Sequence, residues 1–392
     1  MDQKKKNLII GAVTYGLAAL ISYFVFTKLL TGGVITSQNV TPVALPSTGS
    51  NEQVAFDSKL PKTQPCPING VKYSKQQEDW WKQHRPLGVM IENSLDARPQ
   101  SGISSADVVY EAVAEGGITR FMAVFYCQDA GIVGPVRSAR TYFLDFISEY
   151  ADYPLYAHVG GANTPGPADA LGQIDGYGWT GYNDLNQFSI GFPTFWRDYE
   201  RLGHTVATEH TMYSTTSKLW SIAKSRKLTN IDKDGNSWDT NFVAYQFKDD
   251  AASSSRPKSQ TVSFNFSGGY TDYSVLWTYD PLTNTYLRTN GGQAHKDKDT
   301  GKQLAAKNVV VLFMTESNAD DGYTNNEHML YGTKGTGKAD IFMDGQETVG
   351  TWSKKSRISR LIIHDKTGQE MKFDRGLIWF EVLGTLTPVV VK

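Results

Sequence analysis

Short apolar runs alternate with segments of helical spacing between Cys66 and about Arg226. Each run is long enough for one strand, and polar or glycine-rich turns bound the runs. The Glu115–Gly117 turn predicts a hairpin. Strands interleaved with helices predict a layered α/β domain with a mixed sheet over residues 66–247. The predicted strands are Leu87–Asn93, Asp107–Ala114, Thr119–Cys127 and Leu155–Gly161.

Four segments predict helices in the same half of the chain. In GPVRSARTYFLDFISEY, residues 134–150, Gly-Pro opens the predicted helix and an apolar ladder continues it. In STTSKLWSIAKSRK, residues 214–227, Ser214 or Thr215 supplies the N-cap. The other two are TPGPADALGQ, residues 164–173, with proline at its first positions, and PTFWRDYERL, residues 193–202.

The hydrophobic pattern changes in the second half of the chain. Lys248–Gln260 is polar and without periodicity, which predicts a linker at 248–260. Beyond it, short apolar runs separated by turn signals such as DPLTN and DKTGQ are typical of a sandwich or barrel. We therefore expect a β-rich C-terminal domain over residues 261–392.

The N-terminal segment predicts the compartment. Residues 1–7 carry three lysines and form a cytoplasmic tail, and the apolar stretch Leu8–Leu30 predicts a single transmembrane anchor. Residues 31–65, rich in Ser, Thr, Pro and Gly, predict a flexible stalk. The expectation is a bacterial cell membrane protein with an extracytoplasmic bulk. A cleaved signal peptide is the alternative, although no Ala-x-Ala site follows, and lipid attachment is not expected without a Cys at the end of the segment.

Charge and known motifs narrow the function. The net charge of −1 provides no overall field to attract nucleic acid, so any anion must be bound by a local site. Walker, G-x-S-x-G and S-x-x-K motifs are missing from the sequence. The segments beginning at Asp232 and Asp297 imitate calcium loops, but Val243 and Asn308 stand where the twelfth-position Glu belongs. No metal and no cofactor are predicted.

The chain has two cysteines, Cys66 and Cys127. In an exported protein such a pair is a disulfide candidate. Two separate buried thiols are the alternative. Catalysis by Cys127 is not expected, because no nearby His or cation would lower its pKa.

Arg137 and Arg140 are the first candidate binding residues. They lie three positions apart in the predicted helix and would share one face near its free N–H groups, which together form an anion site. Guanidinium groups bind phosphate or carboxylate in a two-pronged way. The alternative is that both arginines pair with Asp145, Glu149 or Glu111 of the chain itself.

Further candidates surround these arginines. Arg120 follows the glycine turn, and His158 ends a predicted strand before a glycine loop, where ligands commonly bind in α/β sheets. His210 and Tyr213 precede the helix that begins near Ser214. The predicted ligand-binding set is Arg120, Arg137, Arg140, His158, His210 and Tyr213.

The segments RPLGVMIENSLDARPQSGISSADVVYEAVAEGGITRFMAVFY and GPVRSAR resemble the YerB family of bacterial envelope proteins. FWRDYERLGHTVATEHTMYSTTSKLW, YDPLTNTYLRTNGGQAHKD and GTWSKKS extend the resemblance over residues 66 to 388. It implies an exported, membrane-tethered protein with an N-terminal α/β part and a C-terminal β part, and no established reaction. Members are commonly lipoproteins, whereas this chain carries the predicted helix anchor.

Three hypotheses of function follow. The first is binding of an anionic cell-envelope ligand, a phosphate- or carboxylate-bearing polymer or precursor, through the arginine-rich helix start. The second is a phospho- or glycopolymer transferase, since the segment from Ser105 to Phe125 is similar in outline to LytR-CpsA-Psr ligases; its candidate catalytic residues are His158, Glu111, Glu115 and Asp145. The third is a protein scaffold for cell-wall synthesis proteins.

Overall fold

A computed structural model describes residues 53–150 and 152–392, together with Asp2, Lys5, Lys6 and Leu17. The predicted anchor at 8–30 and the stalk up to residue 52 lie outside these residues, apart from Leu17. Within the described part, no helix combines the length and apolar character needed to cross a bilayer. From Asn51 to Lys392 the chain forms one compact unit.

The described elements are mostly strands. The helices are α1 Lys75–Trp81, α2 Thr141–Ile147, α3 Ala170–Gly176, α4 Gln187–Ile190 and α5 Thr216–Ser225. The first strands are β1 Lys62–Pro65, β2 Lys72–Ser74, β3 Leu87–Glu92, β4 Val108–Glu115, β5 Ile118–Phe125, β6 Ile132–Val133, β7 Leu155–His158, β8 Asp184–Asn186, β9 Trp196–Arg197, β10 Met212–Thr215 and β11 Gln246–Lys248. The remaining strands are β12 Thr261–Asn265, β13 Ser274–Asp280, β14 Thr285–Asn290, β15 Gln293–Ala294, β16 Ala305–Ala306, β17 Asn308–Met314, β18 Glu316–Asn318, β19 Met329–Tyr331, β20 Gly335–Met343, β21 Gln346–Lys354, β22 Ile362–His364, β23 Lys372–Asp374, β24 Ile378–Gly384 and β25 Val389–Val391.

A ten-stranded mixed sheet forms the centre, in the order β22-β21-β20-β17-β24-β4-β5-β3-β7-β8. Its middle strands β17 and β24 are buried along their whole length, which explains why their sequences are apolar except for Asn308 and Glu381. β24 pairs in parallel with both β17 and β4. The predicted domains 66–247 and 261–392 therefore contribute strands to one sheet.

Two layers cover the central sheet. A six-stranded sheet, built from β12 to β16 and β25, packs on one face and contributes Trp277 to the core. Helix α2 packs on the other face, where Tyr110 of β4 stacks between the rings of Phe146 and Phe380 with centroids 4.7 and 4.8 Å away. Gly88 allows this close approach, because a Cβ there would lie 2.7 Å from the Ile147 side chain.

Residues 53–65, the last part of the predicted stalk at 31–65, lie within the described chain and pack on it. The Val54 amide donates to Asp129 at 2.7 Å, and the ring of Phe56 contacts Trp80 at 5.3 Å. β1 then pairs with β2. Residues 53–65 are thus held by tertiary contacts that their polar composition did not reveal.

Two helix predictions are wrong. Residues 136–139 run as extended chain, because the Arg137 amide donates to Met90 at 3.0 Å and the Ala139 amide donates to Gly160 at 2.9 Å. Helix α2 accordingly begins at Thr141, not at the Gly-Pro pair. In residues 193–202, Trp196–Arg197 form β9 against β10 instead of a helix. The prediction for α5 is confirmed, with the Thr215 side chain accepting from the Lys218 amide at 3.1 Å.

A disulfide joins Cys66 and Cys127, whose Cα atoms lie 6.0 Å apart. The bond ties the segment before β2 to the end of β5. The disulfide prediction is confirmed, and the alternative of two separate thiols is wrong.

Candidate functional site

The predicted arginines lie at one edge of the central sheet. Glu92 ends β3, Glu115 ends β4, and Arg120 near the start of β5 is the register partner of Glu92. The extended segment that precedes α2 brings Arg137 and Arg140 to the same edge. Because β3 and β4 both pair antiparallel with β5, they end where β5 begins, and residues far apart in sequence meet there.

Each arginine is paired with a carboxylate of the chain. Arg120 and Arg140 both bind Glu115, with Arg140 Nε donating to Glu115 Oε2 at 2.8 Å. Arg137 Nε lies 3.2 Å from Glu92 Oε1. Three guanidinium groups thus share two carboxylates, and we call these five residues the arginine cluster. The predicted partners Asp145, Glu149 and Glu111 instead bind Lys334, Lys354 and Arg288.

His210 joins this arginine cluster through Glu92, since its Nδ1 lies 2.9 Å from Glu92 Oε2. That hydrogen bond raises the pKa of His210. Burial alone would raise the pKa of Glu115, but the charges of Arg120 and Arg140 lower it to about 2. Glu115 is therefore ionised. The cluster is largely internal: the side chains of Arg120 and Arg140 are 3% and 7% exposed, and that of Arg137 is 22% exposed.

The low pKa of Glu115 predicts acid-sensitive stability. A carboxylate whose pKa falls from 4.5 to about 2 on folding contributes stability above pH 4.5 and loses it as the pH falls towards 2. The full contribution is about 3 kcal/mol, and the unfolding free energy of Glu115→Gln should fall below that of wild type by that order at pH 7.

Urea unfolding of both proteins at pH 7 and pH 3 checks this expectation. The difference between them should shrink at pH 3, while the exposed-site control Glu200→Gln should show no difference at either pH. An undiminished difference at pH 3 would contradict the assignment.

The remaining predicted site residues do not converge on an open site. His158 is buried, with Nδ1 2.6 Å from the Gly160 carbonyl and Nε2 2.6 Å from Asp184 Oδ1. Both ring nitrogens are occupied, so His158 holds the glycine loop in place. Tyr213 is buried beneath the guanidinium of Arg201, which lies 5.2 Å from its ring centroid.

An open site lies elsewhere, beside residues 354–360, which we call the basic loop. Two adjoining cavities of about 530 and 610 Å³ border it. Residues after α2, Asp152 among them, and residues 241–243 before β11 form further parts of the walls, and Gly335 and Thr336 of β20 line the second cavity. Both cavities are lined by Glu149, Asn241, Lys355, Ile358 and Ser359.

Glu149 organises the buried wall of these cavities. Its carboxylate accepts hydrogen bonds from Tyr110 at 2.8 Å, Tyr245 at 3.2 Å, the Leu361 amide at 2.7 Å and Lys354 Nζ at 3.1 Å. Burial, followed by the charge of Glu149, raises the pKa of Tyr110 and Tyr245 well above the usual value, so both remain O–H donors. Lys354 is fully buried, and the four donors satisfy the carboxylate.

The outer part of the basic loop carries cations without acidic partners. Lys355 is exposed and makes no ion pair within the described part of the chain. Arg357 donates to Ser148 Oγ at 2.6 Å and lies over the Tyr177 ring at 3.9 Å. The Ser356 and Ser359 hydroxyls, 2.7 Å apart, add hydrogen-bonding groups. Sequence reasoning missed this site, although four cations in residues 354–360 were its visible signal.

Of the described residues, those nearest to a metal-ligand set are Cys66, Asp107 and Cys127. Their chemistry does not suit a metal, because both sulfur atoms belong to the disulfide. Asp107 instead accepts hydrogen bonds from the Tyr126 amide at 2.7 Å, the Cys127 amide at 2.9 Å and Asn69 at 2.6 Å. This group is structural.

The geometry defines one sheet-rich body assembled from two sequence segments, and known proteins divide the chain in the same way. Residues 72–229 match the N-terminal domain, and residues 262–380 the C-terminal domain, of DUF3048, each described as a protein of unknown function. The chain belongs to this DUF3048 family.

The relatives confirm the YerB resemblance. The chain is 28% identical over 324 residues to "Putative lipoprotein YerB" of Bacillus subtilis (strain 168), covering 82% of this chain and 86% of that protein. The crystal structure of a YerB protein from Bacillus subtilis has the same fold, with a TM-score of 0.66, 23% identity and coverage of 84% of this chain and all of that one.

Proposed function

We propose that this is an extracytoplasmic envelope protein that binds an anionic ligand in the two cavities beside the basic loop. The lipoprotein name of the YerB relative supports the compartment, as does the predicted anchor at 8–30. The ligand class remains the one expected from the sequence, a phosphate- or carboxylate-bearing envelope polymer or precursor.

One observation carries the proposal: exposed Lys355 lines both cavities and has no acidic partner among the described residues. A free cation beside hydroxyl groups binds an anion by charge-assisted hydrogen bonds, which are about twice as strong as neutral ones. The arginine cluster is a weaker candidate, since Glu92 and Glu115 already bind its guanidinium groups.

Transfer chemistry has less support. His158, Glu111, Glu115 and Asp145 were its candidate catalytic residues, and each is held by internal partners. A general acid or base needs a free position within reach of substrate. We therefore restrict the proposal to binding.

The test is titration of the full-length protein in detergent with a short glycerol phosphate oligomer, followed by calorimetry. Lys355→Gln combined with Arg357→Gln should weaken binding roughly tenfold or more, as expected for the loss of charge-assisted contacts. Wild-type affinity should also fall as salt is raised from 0.05 to 0.3 M, because screening acts on exposed charges.

Two controls locate the site. Lys366→Gln removes an exposed lysine from the turn after β22 and should leave the affinity unchanged, and so should Arg137→Gln in the arginine cluster. If Arg137→Gln abolishes binding while the loop variant binds normally, the ligand belongs at the sheet edge and the proposed site is wrong.

A further inference from the structure

The last strand, β25, has an unpaired edge. It closes one side of the six-stranded sheet by pairing with β12. Within the described chain, no strand pairs with its other edge. That edge opens onto a groove of about 770 Å³. Gly335 and Thr336 of β20 line both this groove and one basic-loop cavity, but β25 lines only the groove.

The strand register shows which backbone groups face the groove. The Thr261 and Lys392 amides each donate to the other's carbonyl, at 2.8 and 3.0 Å. Hydrogen-bonded pairs alternate along an antiparallel ladder, so Val390 also bonds towards β12, opposite Ser263. The amide and carbonyl groups of Val389 and Val391 therefore point the other way, and both residues line the groove.

The groove is lined by a mixture of apolar, small and polar residues, and its charged residues balance. Its lining includes the buried rings of Phe313 and Trp352 and the glycines Gly335 and Gly337 of β20. Leu386, at the rim, is 95% exposed. The charged lining residues are two cations and two anions, namely Lys334, Lys338, Asp340 and Glu347.

We propose that this groove binds an extended, uncharged segment of a partner polypeptide, which adds as a strand to β25. Unpaired amides and carbonyls in alternation are matched by another peptide backbone, not by a glycan or a lipid chain. The balanced charges favour a segment without net charge, and exposed Leu386 favours apolar side chains on its inner face.

The flanks of β25 limit the interaction. Pro388 precedes the strand and Lys392 follows it, and both residue types restrict open-ended strand addition. Two outward-facing residues offer four backbone hydrogen bonds. The site therefore fits a short, reversible contact with one segment and does not fit growth of a fibre.

The experiment uses the full-length protein in detergent and the capped, labelled peptide Val-Thr-Ile-Thr-Val-Thr, with fluorescence anisotropy as readout. A second peptide of the same sequence carries N-methyl groups on alternate amides, which removes the ladder donors and keeps the side chains. We expect the methylated peptide to bind at least tenfold more weakly to the wild-type protein.

Matched variants place the contact on β25. Val391→Pro removes a backbone amide that faces the groove. Val391→Thr keeps this amide and has a side chain of similar shape to valine. The proline variant should lose peptide binding at least tenfold with an unchanged far-UV spectrum, and the threonine variant should stay within twofold of wild type. Sedimentation of the protein alone reports whether a second copy occupies the edge.

Three outcomes would overturn the proposal. Equal binding of the methylated and unmethylated peptides would show that the backbone is not recognised, independently of any variant's stability. Equal binding to the proline and threonine variants would place the peptide elsewhere. A dimer that excludes the peptide and is abolished by Val391→Pro would show that the edge pairs with a second copy.

Discussion

Arg288→Met is expected to lower the unfolding free energy by about 3–5 kcal/mol, the range for breaking a buried ion pair by removing one partner. Arg288 is fully buried and binds Glu111 of β4, which is also fully buried. Its Nη1 lies 2.7 Å from His295 Nδ1. The methionine side chain is similar in length to that of arginine but is uncharged, so it cannot pair with Glu111.

The surroundings of Arg288 explain why the loss should be large. Its guanidinium lies among the rings of Trp379, Phe121 and Trp277, at 4.9, 5.5 and 5.6 Å. Burial, followed by the charge of Glu111, raises the pKa of Glu381 well above the usual value. Glu111 makes the close ion pair with Arg288, whereas Glu381 Oε1 lies 3.8 Å from Arg288 Nε. Removing Arg288 therefore leaves the Glu111 side chain without its cationic partner in an apolar layer.

Urea unfolding followed by tryptophan fluorescence measures the effect. Arg375→Met is the matched control, because the Asp249 partner of Arg375 is 90% exposed and the pair should contribute less than about 1 kcal/mol. Arg288→Met combined with Glu111→Gln should recover part of the lost stability. A loss below 1 kcal/mol in the single variant would contradict the buried ion pair.

Removing the Cys66–Cys127 disulfide is expected to lower the unfolding free energy by about 4 kcal/mol. The bond closes a loop with a sequence separation of 61 residues, and the chain-entropy relation gives about 4 kcal/mol for a loop of that size. The effect arises mainly in the unfolded state, whose freedom the bond restricts.

The comparison is between wild type and Cys66→Ala combined with Cys127→Ala in urea. Reductant should lower the stability of the wild-type protein by a similar amount and should not change that of the variant. Equal stability of the two proteins without reductant would contradict the prediction.

The local pattern predicted the strands well where burial is continuous. Leu87–Asn93 and Thr119–Cys127 correspond to β3 and β5, because strands buried on both faces have largely apolar sequences. The pattern failed at residues 136–139, whose hydrogen bonds go to Met90 and Gly160. Bonds over such separations leave no periodic trace in the segment itself.

The candidate sites, too, could be predicted from the sequence only in part. The sequence singled out Arg120, Arg137 and Arg140 but placed the last two on one helix face, whereas they lie on the extended segment before α2 and at its N-cap. It did not indicate that Glu92 and Glu115 bind the three guanidinium groups. The basic-loop cavities need three segments that approach only in the fold, near residues 149, 241 and 355. No pattern within any one segment predicts a cavity of that kind.

The position of β24 in the central sheet constrains the order in which the protein folds. This strand lies between β4 and β17, yet it is synthesised after both. The main sheet therefore cannot close until residues 378–384 are available to pair. Until then the edges of β4 and β17 are open to wrong partners, so C-terminal truncations that remove β24 should accumulate as aggregates or be degraded.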